Sequence, residues 1–572
     1  MSSSDVLIQD SINHGRVDHH IDNHRIDPSR ADHRSASHIA TPHFASKTSA
    51  EVRQALLNKQ EIALVDVREE ALFAQSHPLF AVNISLSKLE IESYNRIPRL
   101  NTPIVLYDNG EGDAWLAAQR LQQLGYQKVY LLEGNLAGWQ AAGGELFQDV
   151  NVPSKSFGEL VETHRQTPSL SASEVKQLLD EQADLIILDA RRFDEYHTMN
   201  IPGSISVPGA ELVLRSQNLA KNPTTPIIVN CAGRTRSIIG TQSLVNAGIQ
   251  NPIYALRNGT IGWTLAGYAL EHQQARQFSK VNESQKKQAA RQATQVARKA
   301  GVKNVTLAEV QTWLADLKRT TYLFDVRTVE EYEAGHLPQS RCTPGGQLVQ
   351  ETDHFAAVRG ARIVLIDNSD RTRANMTASW LAQMGWDSYV ISDLSAAQLN
   401  QTGAWQPKTA PIPNVTDIEP AQLQQWIQQD AAHTVILDVT ASSNYLKQHI
   451  PGAWFILRGQ ISKDIHNVPN LKQAQRIVIS CGSSLLARFA ATELQAHVQQ
   501  PIYVLNGGNQ AWQKHGYATE TTAHLASRLI DRYQRPYEGT QNSSDAMQAY
   551  LDWEYGLVQQ LSNDGTHGFF VI

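Results

Sequence analysis

At 572 residues the chain is too long for one hydrophobic core, and ordinary domain size points to about four units. Its composition is 41% hydrophobic and 19% charged with a formal net charge of −6, so no basic excess marks a nucleic-acid surface or a polybasic membrane patch. The longest apolar runs, such as residues 185–188 and 363–366, are strand-length rather than membrane-spanning, and residues 1–5 carry no basic-then-apolar secretory pattern.

Residues 1–45 are polar, with seven histidines (His14, His19, His20, His24, His33, His38, His43) at irregular spacing and no cysteine among them. A disordered or loosely draped arm fits this better than a metal site. From residue 46 the chain repeats itself. Four strands end in an aspartate, at Asp66, Asp189, Asp325 and Asp438, and seven residues after each comes an aromatic: Phe73, Tyr196, Tyr332, Tyr445. A proline follows each time (Pro78, Pro202, Pro338, Pro451), and a second strand ends 42, 42, 42 and 43 residues after the aspartate, at Asp108, Cys231, Asp367 and Cys481. Trp139, Trp263 and Trp512 recur at the matching distance in repeats one, two and four and read as core anchors. The expected units are 46–150, 166–272, 304–408 and 415–520. Each alternates strand and helix patterns, which calls for an α/β fold: a mainly parallel sheet covered by helices on both faces. Ligands of such sheets bind beyond the carboxyl ends of the strands, where Asp108, Cys231, Asp367 and Cys481 fall.

Residues 273–303, rich in Lys, Gln, Arg and Ala, read as a solvated helix dividing the chain into two pairs of units. The tail, 521–572, is expected to hold a helix over 523–533 and an aromatic stretch, Tyr550-Leu-Asp-Trp553-Glu-Tyr555, that packs back on the array.

The chemistry concentrates at Ile227-Ile-Val-Asn-Cys231-Ala-Gly-Arg-Thr-Arg236-Ser237. A thiol between a strand end and a helix start meets unpaired amides and the positive end of the helix dipole, and Arg234 and Arg236 add charge. These effects favour the nucleophilic thiolate and suit a small oxyanion held against the sulfur. Three cysteines without a CxxC pair speak against a disulfide scaffold and for a reducing compartment, with the cytoplasm as default.

These residues resemble the rhodanese (sulfurtransferase) superfamily over roughly residues 46–520. The carriers are Asp189-Ala-Arg191, Glu195-Tyr196, Ile201-Pro-Gly-Ser204, the Cys231 stretch and Asn258-Gly259-x-x-Gly262-Trp263, with echoes at Asp325-Val-Arg327, Gly335-His-Leu-Pro338, His449-Ile-Pro-Gly-Ala453 and Asn506-Gly-Gly508. The resemblance implies a two-step shuttle. Cys231 would take the outer sulfur of a thiosulfate-like donor as a persulfide and pass it to cyanide or a thiol. Ala232, Gly233, Arg234, Thr235 and Arg236 would bind the anion, with Arg234 drawing it in and Arg236 closing the loop. It implies no metal and no cofactor. The family's sulfurtransferases carry six residues from cysteine to closing arginine, as 231–236 does, whereas its phosphatases and arsenate reductases carry seven.

Cys481 is left open as a second site, because leucine stands where the closing arginine belongs and Asp438 is followed by Val439-Thr440 without an arginine. Asp108 and Asp367 cannot carry a persulfide, so repeats one and three read as inactive, although Arg371 and Arg373 remain near Asp367. Cys342 reads as a structural loop cysteine far from the active edges. Asp189, Arg191 and Glu195 read as an ion-pair network tying the strand end to the next helix rather than as acid–base groups. The rival to an enzyme is a non-catalytic or relay protein that delivers sulfur only to a specific partner. No nucleic acid or membrane partner is expected, and oligomeric state, donor and acceptor leave no motif.

Overall fold

The computed structural model describes residues 44–220 and 222–572; the histidine-bearing arm lies outside the described residues. Four sheets share one strand order. In unit two the strands Ser169–Leu170, Ile186–Asp189, Ile205–Ser206, Ile227–Asn230 and Ile253–Leu256 lie in the order first, fifth, fourth, second, third, all parallel. The other three units repeat this order, and unit four adds a sixth strand, His524–Leu525, along Ala453–Phe455. The strand Ile227–Asn230 is buried at every residue, as expected of a central strand covered on both faces.

The repeated residues each have a mechanical role. Arg191 clamps the strand-end Asp189 from two nitrogens (2.9 and 2.7 Å) and also donates to Met199 O at 2.6 Å, joining strand end to the following turn. Arg68 and Arg327 do the same for Asp66 and Asp325. In unit four the arginine is missing; Thr440 N and Asn509 Nδ2 replace it, and burial pushes the Asp438 carboxyl up to about 6. The repeated tyrosines donate to a carbonyl eight residues on: Tyr196 to Ser204, Tyr332 to Ser340, Tyr445 to Ala453, each at 2.8 Å. Trp139, Trp263 and Trp512 are core residues whose indole N–H donates to a carbonyl six residues later. Unit three, which lacks this Trp, has only a short turn, Ala396–Gln398, in place of the closing helix.

The units do not pair in chain order. Unit two meets unit three: a Cβ on Gly346 would lie 3.0 Å from Gly209 N, and Arg373 bonds Glu211 across the contact at 2.9 Å. Unit one meets unit four through the same repeat positions, 20 and 21 residues past the strand-end aspartate. There Gly459 N donates to Ser87 Oγ (2.8 Å) and Arg458 bonds Ser87 O (3.0 Å) and Glu90 (2.6 Å). The connecting helix, Glu283–Lys299, is not solvated all round. Ala289, Ala293, Val296 and Ala297 form a buried stripe against Leu212–Leu219 of unit two and Thr372–Gln383 of unit three. Three of these four are alanines, too small to stand out as an apolar face in sequence.

Two further expectations are corrected. Residues 523–533 form no helix: His524–Leu525 extends the fourth sheet, and Asp531 accepts Ser442 N at 2.8 Å. The tail helix is Ser544–Asp564, packed on the helix Val152–Arg165 that joins units one and two. Cys342 lies in the strand Arg341–Cys342, in register with Asp325, not in a loop. Among the described residues no helix is long and apolar enough to cross a membrane.

Candidate active site

Cys231 ends its strand at 2% exposure, and the 12-residue helix Thr235–Asn246 begins four residues later. The intervening loop is fastened from below. Thr260 N donates to Cys231 O (2.9 Å), and Ile261 N and Thr260 Oγ1 donate to Ala232 O (3.0 and 3.1 Å). This requires Gly259, whose φ is +54° and whose Cβ would stand 2.3 Å from Cys231 O. The carbonyls of Cys231 and Ala232 are tied down this way, and the Ser237 amide, in the first turn of the helix, acts on the sulfur.

The thiol of Cys231 donates to Ser237 Oγ at 3.5 Å, and that hydroxyl donates to Arg234 O at 2.8 Å. Burial pushes the thiol up, against the pull of the Arg236 charge and of the Ser237 hydroxyl and amide. Desolvation thus opposes the charge and dipole effects that the sequence argument counted. Arg236 forms a bidentate pair with Glu195 (2.7 and 2.8 Å). Burial would raise Glu195, but the Arg236 charge and its hydrogen bonds outweigh it and hold the carboxyl at about 2. Glu195 thus leaves the Asp189–Arg191 pair to which the sequence reading attached it, and orients the closing arginine instead.

Arg234 points elsewhere. Its guanidinium pairs with Glu159 through two bonds of 2.8 Å, bonds Glu162 and Asn258, receives no free face, and stacks on Tyr555 at 4.2 Å. A cation so neutralised cannot draw in an anion; it ties the loop to the helices Val152–Arg165 and Ser544–Asp564. Ala232, Gly233 and Thr235 are where the sequence put them, in the loop and at the first helical turn.

The tail helix roofs the loop. A Cβ on Gly233 would lie 3.1 Å from Tyr550 and 3.3 Å from Glu554. Glu554 is 1% exposed and bonds Tyr550 OH (2.8 Å) and Thr235 Oγ1 (3.5 Å). Burial, with the nearby Glu159 charge, pushes its carboxyl up to about 8 against Lys155, so a neutral acid covers the site at pH 7. Lys155 Nζ sits 5.0–5.4 Å from the rings of Tyr537, Tyr550 and Trp553 and bonds Asp149 at 2.6 Å, locking the segment down. The only sequence signal for these groups was the aromatic stretch 550–555, with Tyr550 and Glu554 one helical turn apart.

The equivalent positions differ in kind. At Asp367 the carboxylate itself takes the loop donors: Asn368 N (2.8 Å), Ala374 N (3.0 Å) and Arg373 Nε (3.0 Å), with Arg373 also bonding Glu331. Asp108 likewise accepts from Gly110 N (2.6 Å) and Ala114 N (3.0 Å). Each fills its own anion cradle. Cys481 keeps the loop, with Gly508 in the role of Gly259 and Asn509 N donating to Cys481 O at 2.7 Å. Burial pushes this thiol up, the amides of Ala487, Ser483 and Leu486 pull it down, and no arginine does. Among the described residues no group of three or more His, Cys, Asp or Glu could hold a metal.

Residues 48–142, 171–266, 306–395 and 419–515 each match the Rhodanese-like domain. A crystal structure of a thiosulfate sulfurtransferase from Pseudomonas aeruginosa is 59% identical with a TM-score of 0.90, covering 92% of this chain and 100% of that one. A Coxiella burnetii thiosulfate sulfurtransferase, GlpE, is 28% identical over 86 residues, 15% of this chain and 78% of its own. A Bacillus subtilis relative, YrkF, is 31% identical over 97 residues, which are 17% of this chain and 51% of that protein, so the match spans about half its length.

Proposed function

The chain belongs to the rhodanese-like family, and we propose that it is a sulfurtransferase whose second module, residues 166–272, moves a sulfane sulfur from thiosulfate or a similar donor to cyanide or a thiol. The observation that carries the reading is the combination at Cys231: a buried cysteine at a strand end, the Ser237 hydroxyl and amide of the next helix's first turn beside it, and an arginine, Arg236, oriented by Glu195. Modules one and three lack the thiol, and module four lacks the arginine. The resemblance to a thiosulfate sulfurtransferase over nearly the whole chain supports the same assignment.

The Cys231 thiolate attacks the outer sulfur of thiosulfate; the new S–S bond forms as the donor S–S bond breaks, and its electron pair leaves with sulfite. Ionisation reverses the thiol bond, and the Ser237 hydroxyl turns from Arg234 O to donate to the anionic sulfur. Loop amides and Arg236 stabilise first the donor and then the persulfide. The acceptor attacks the outer sulfur in turn and returns Cys231 as thiolate. The free thiols, none in a disulfide among the described residues, suit a reducing, cytoplasmic setting.

A thiosulfate:cyanide assay on wild type, Cys231→Ser and Cys481→Ser, with sulfur gain read by intact mass, tests this. Cys231→Ser is expected to lose both turnover and loading; retention of either sinks the assignment to Cys231. The neutral, amide-lined Cys481 favours a receiving role over attack on a dianion, so Cys481→Ser is expected to load normally. Loading of wild type without turnover would move the partner-specific carrier ahead of the enzyme.

A further inference from the structure

Independently of the sulfur-transfer reading, we propose that the cavity between modules one and three binds a planar aromatic anion, with Arg341 and Lys408 meeting its charge and Trp405 its ring. The cavity measures about 880 Å³, within the range of small-molecule sites. Its walls come from residues 94–101 of module one and residues 313–324 and 401–408 of module three, and no residue of the Cys231 loop lines it. The walls are fixed to each other. Tyr322 OH donates to Arg96 O at 2.6 Å. Asn95 Nδ2 donates to Lys408 O and Lys408 N to Asn95 Oδ1, each at 2.8 Å, so the 401–408 segment is fastened to module one.

The charge of the lining is unbalanced. Arg99, Arg319, Arg341 and Lys408 face a single carboxylate, Asp316. Arg99 pairs with Glu61, Arg319 pairs with Asp387, and Asp316 lies 3.9 Å from Arg362. Among the described residues no carboxylate pairs with Arg341 or Lys408. Glu92, whose charge acts on Arg341, is claimed by Arg96 at 2.8 Å. The fold does not ask for a cation at 341 either. Arg341 stands in register with Phe324 on the edge strand, and the matching positions of the other modules hold Val82, Ile205 and Trp454.

The setting of Arg341 defines the occupant. Phe355 and Trp405 each lie 4.7 Å from its guanidinium and hold it in place. Among the described residues the guanidinium finds no hydrogen-bond acceptor; Nη1 is sealed in, which leaves Nε and Nη2 as the edge open to a ligand. Burial, and then the Arg96 charge, pull the group down to about 10. Such an edge meets a carboxylate or a phosphate through two parallel hydrogen bonds, and the bound anion would restore the solvation that the arginine has lost. Trp405, Tyr94 and Trp313 line the same space and offer ring surface to the planar part of the ligand.

Calorimetric titration of the full-length protein with AMP, indole-3-acetate, adenosine, tryptophol and inorganic phosphate tests this. AMP or indole-3-acetate is expected to bind with a Kd of about 1 mM or tighter, and at least about tenfold more tightly than phosphate or its own uncharged ring compound. The better of the two tells a phosphate ligand from a carboxylate. Arg341→Val, which installs the residue module one carries there, and Lys408→Gln are each expected to weaken binding about tenfold. Both variants should melt with wild type and still load sulfur from thiosulfate. Binding no tighter than that of phosphate or the uncharged rings, or wild-type affinity in both variants, overturns the assignment of the cavity. Failure of wild type to load from thiosulfate would bear on Cys231 alone.

Discussion

In the proposed reaction Arg236 has two duties, to favour the Cys231 thiolate and to meet the donor, and the Glu195 pair holds its guanidinium in place. Arg236→Ala is expected to cut loading by thiosulfate about a hundredfold, the scale of a lost oriented cation or oxyanion donor. Because burial raises the thiol, wild-type loading should keep climbing with pH beyond the ordinary thiol value of about 8.5. In Arg236→Ala that climb moves to still higher pH; an unmoved profile would mean the arginine does not act on the sulfur's ionisation. Glu554 gives a second pH signature. Its folded value of about 8 lies above the ordinary carboxyl range, so the folded state holds a proton that the unfolded state has released between those limits. Stability contributed by this group is thus full below about pH 4.5 and falls, by about 1.4 kcal/mol per pH unit, as pH rises toward 8. Glu554→Gln, which keeps the neutral shape, should raise Tm relative to wild type more at pH 8 than at pH 5, as thermal unfolding would show.

At the scale of elements, the sequence displayed what repeats and hid what is bridged. Strand ends, the tyrosine brace and the loop glycine are local, fixed-spacing devices, so Asp189, Tyr196, Gly259 and Cys231 could be read directly. Arg234 could not, because its partners Glu159, Glu162 and Tyr555 come from two helices outside the repeat, and a charged side chain does not announce what neutralises it. The tail helix was misplaced for a related reason: His524–Leu525 is claimed by an open sheet edge and Asp531 by Ser442 N, tertiary demands that override local propensity. Gly259→Ala tests the loop brace. The added methyl meets Cys231 O at 2.3 Å in a left-handed residue, a cost on the order of 1–3 kcal/mol, and loading should drop at least tenfold while the far-ultraviolet circular dichroism is retained. Gly508→Ala makes the matching clash at Cys481 O and should leave loading at Cys231 intact.

Across the whole molecule, modules two with three and one with four meet through the same repeat positions, while modules one and three share one hydrophobic core. Arg458 is the hub of the outer pair, 1% exposed at its side chain and shared by Glu90 and Glu493. Arg458→Met leaves those carboxylates to Arg120 alone and should lower stability by about 2 kcal/mol in urea unfolding, the scale of lost hydrogen bonds to charged groups. A loss below 1 kcal/mol would show that the contact does not hold the pair together. The roof over Cys231 also has a meaning in time. During synthesis Cys231 and its loop emerge more than 300 residues before Tyr550 and Glu554, so the growing chain lacks this roof until the helix Ser544–Asp564 arrives. A chain broken off ahead of Ser544 would keep Cys231 while losing the Tyr550 and Glu554 cover over its loop.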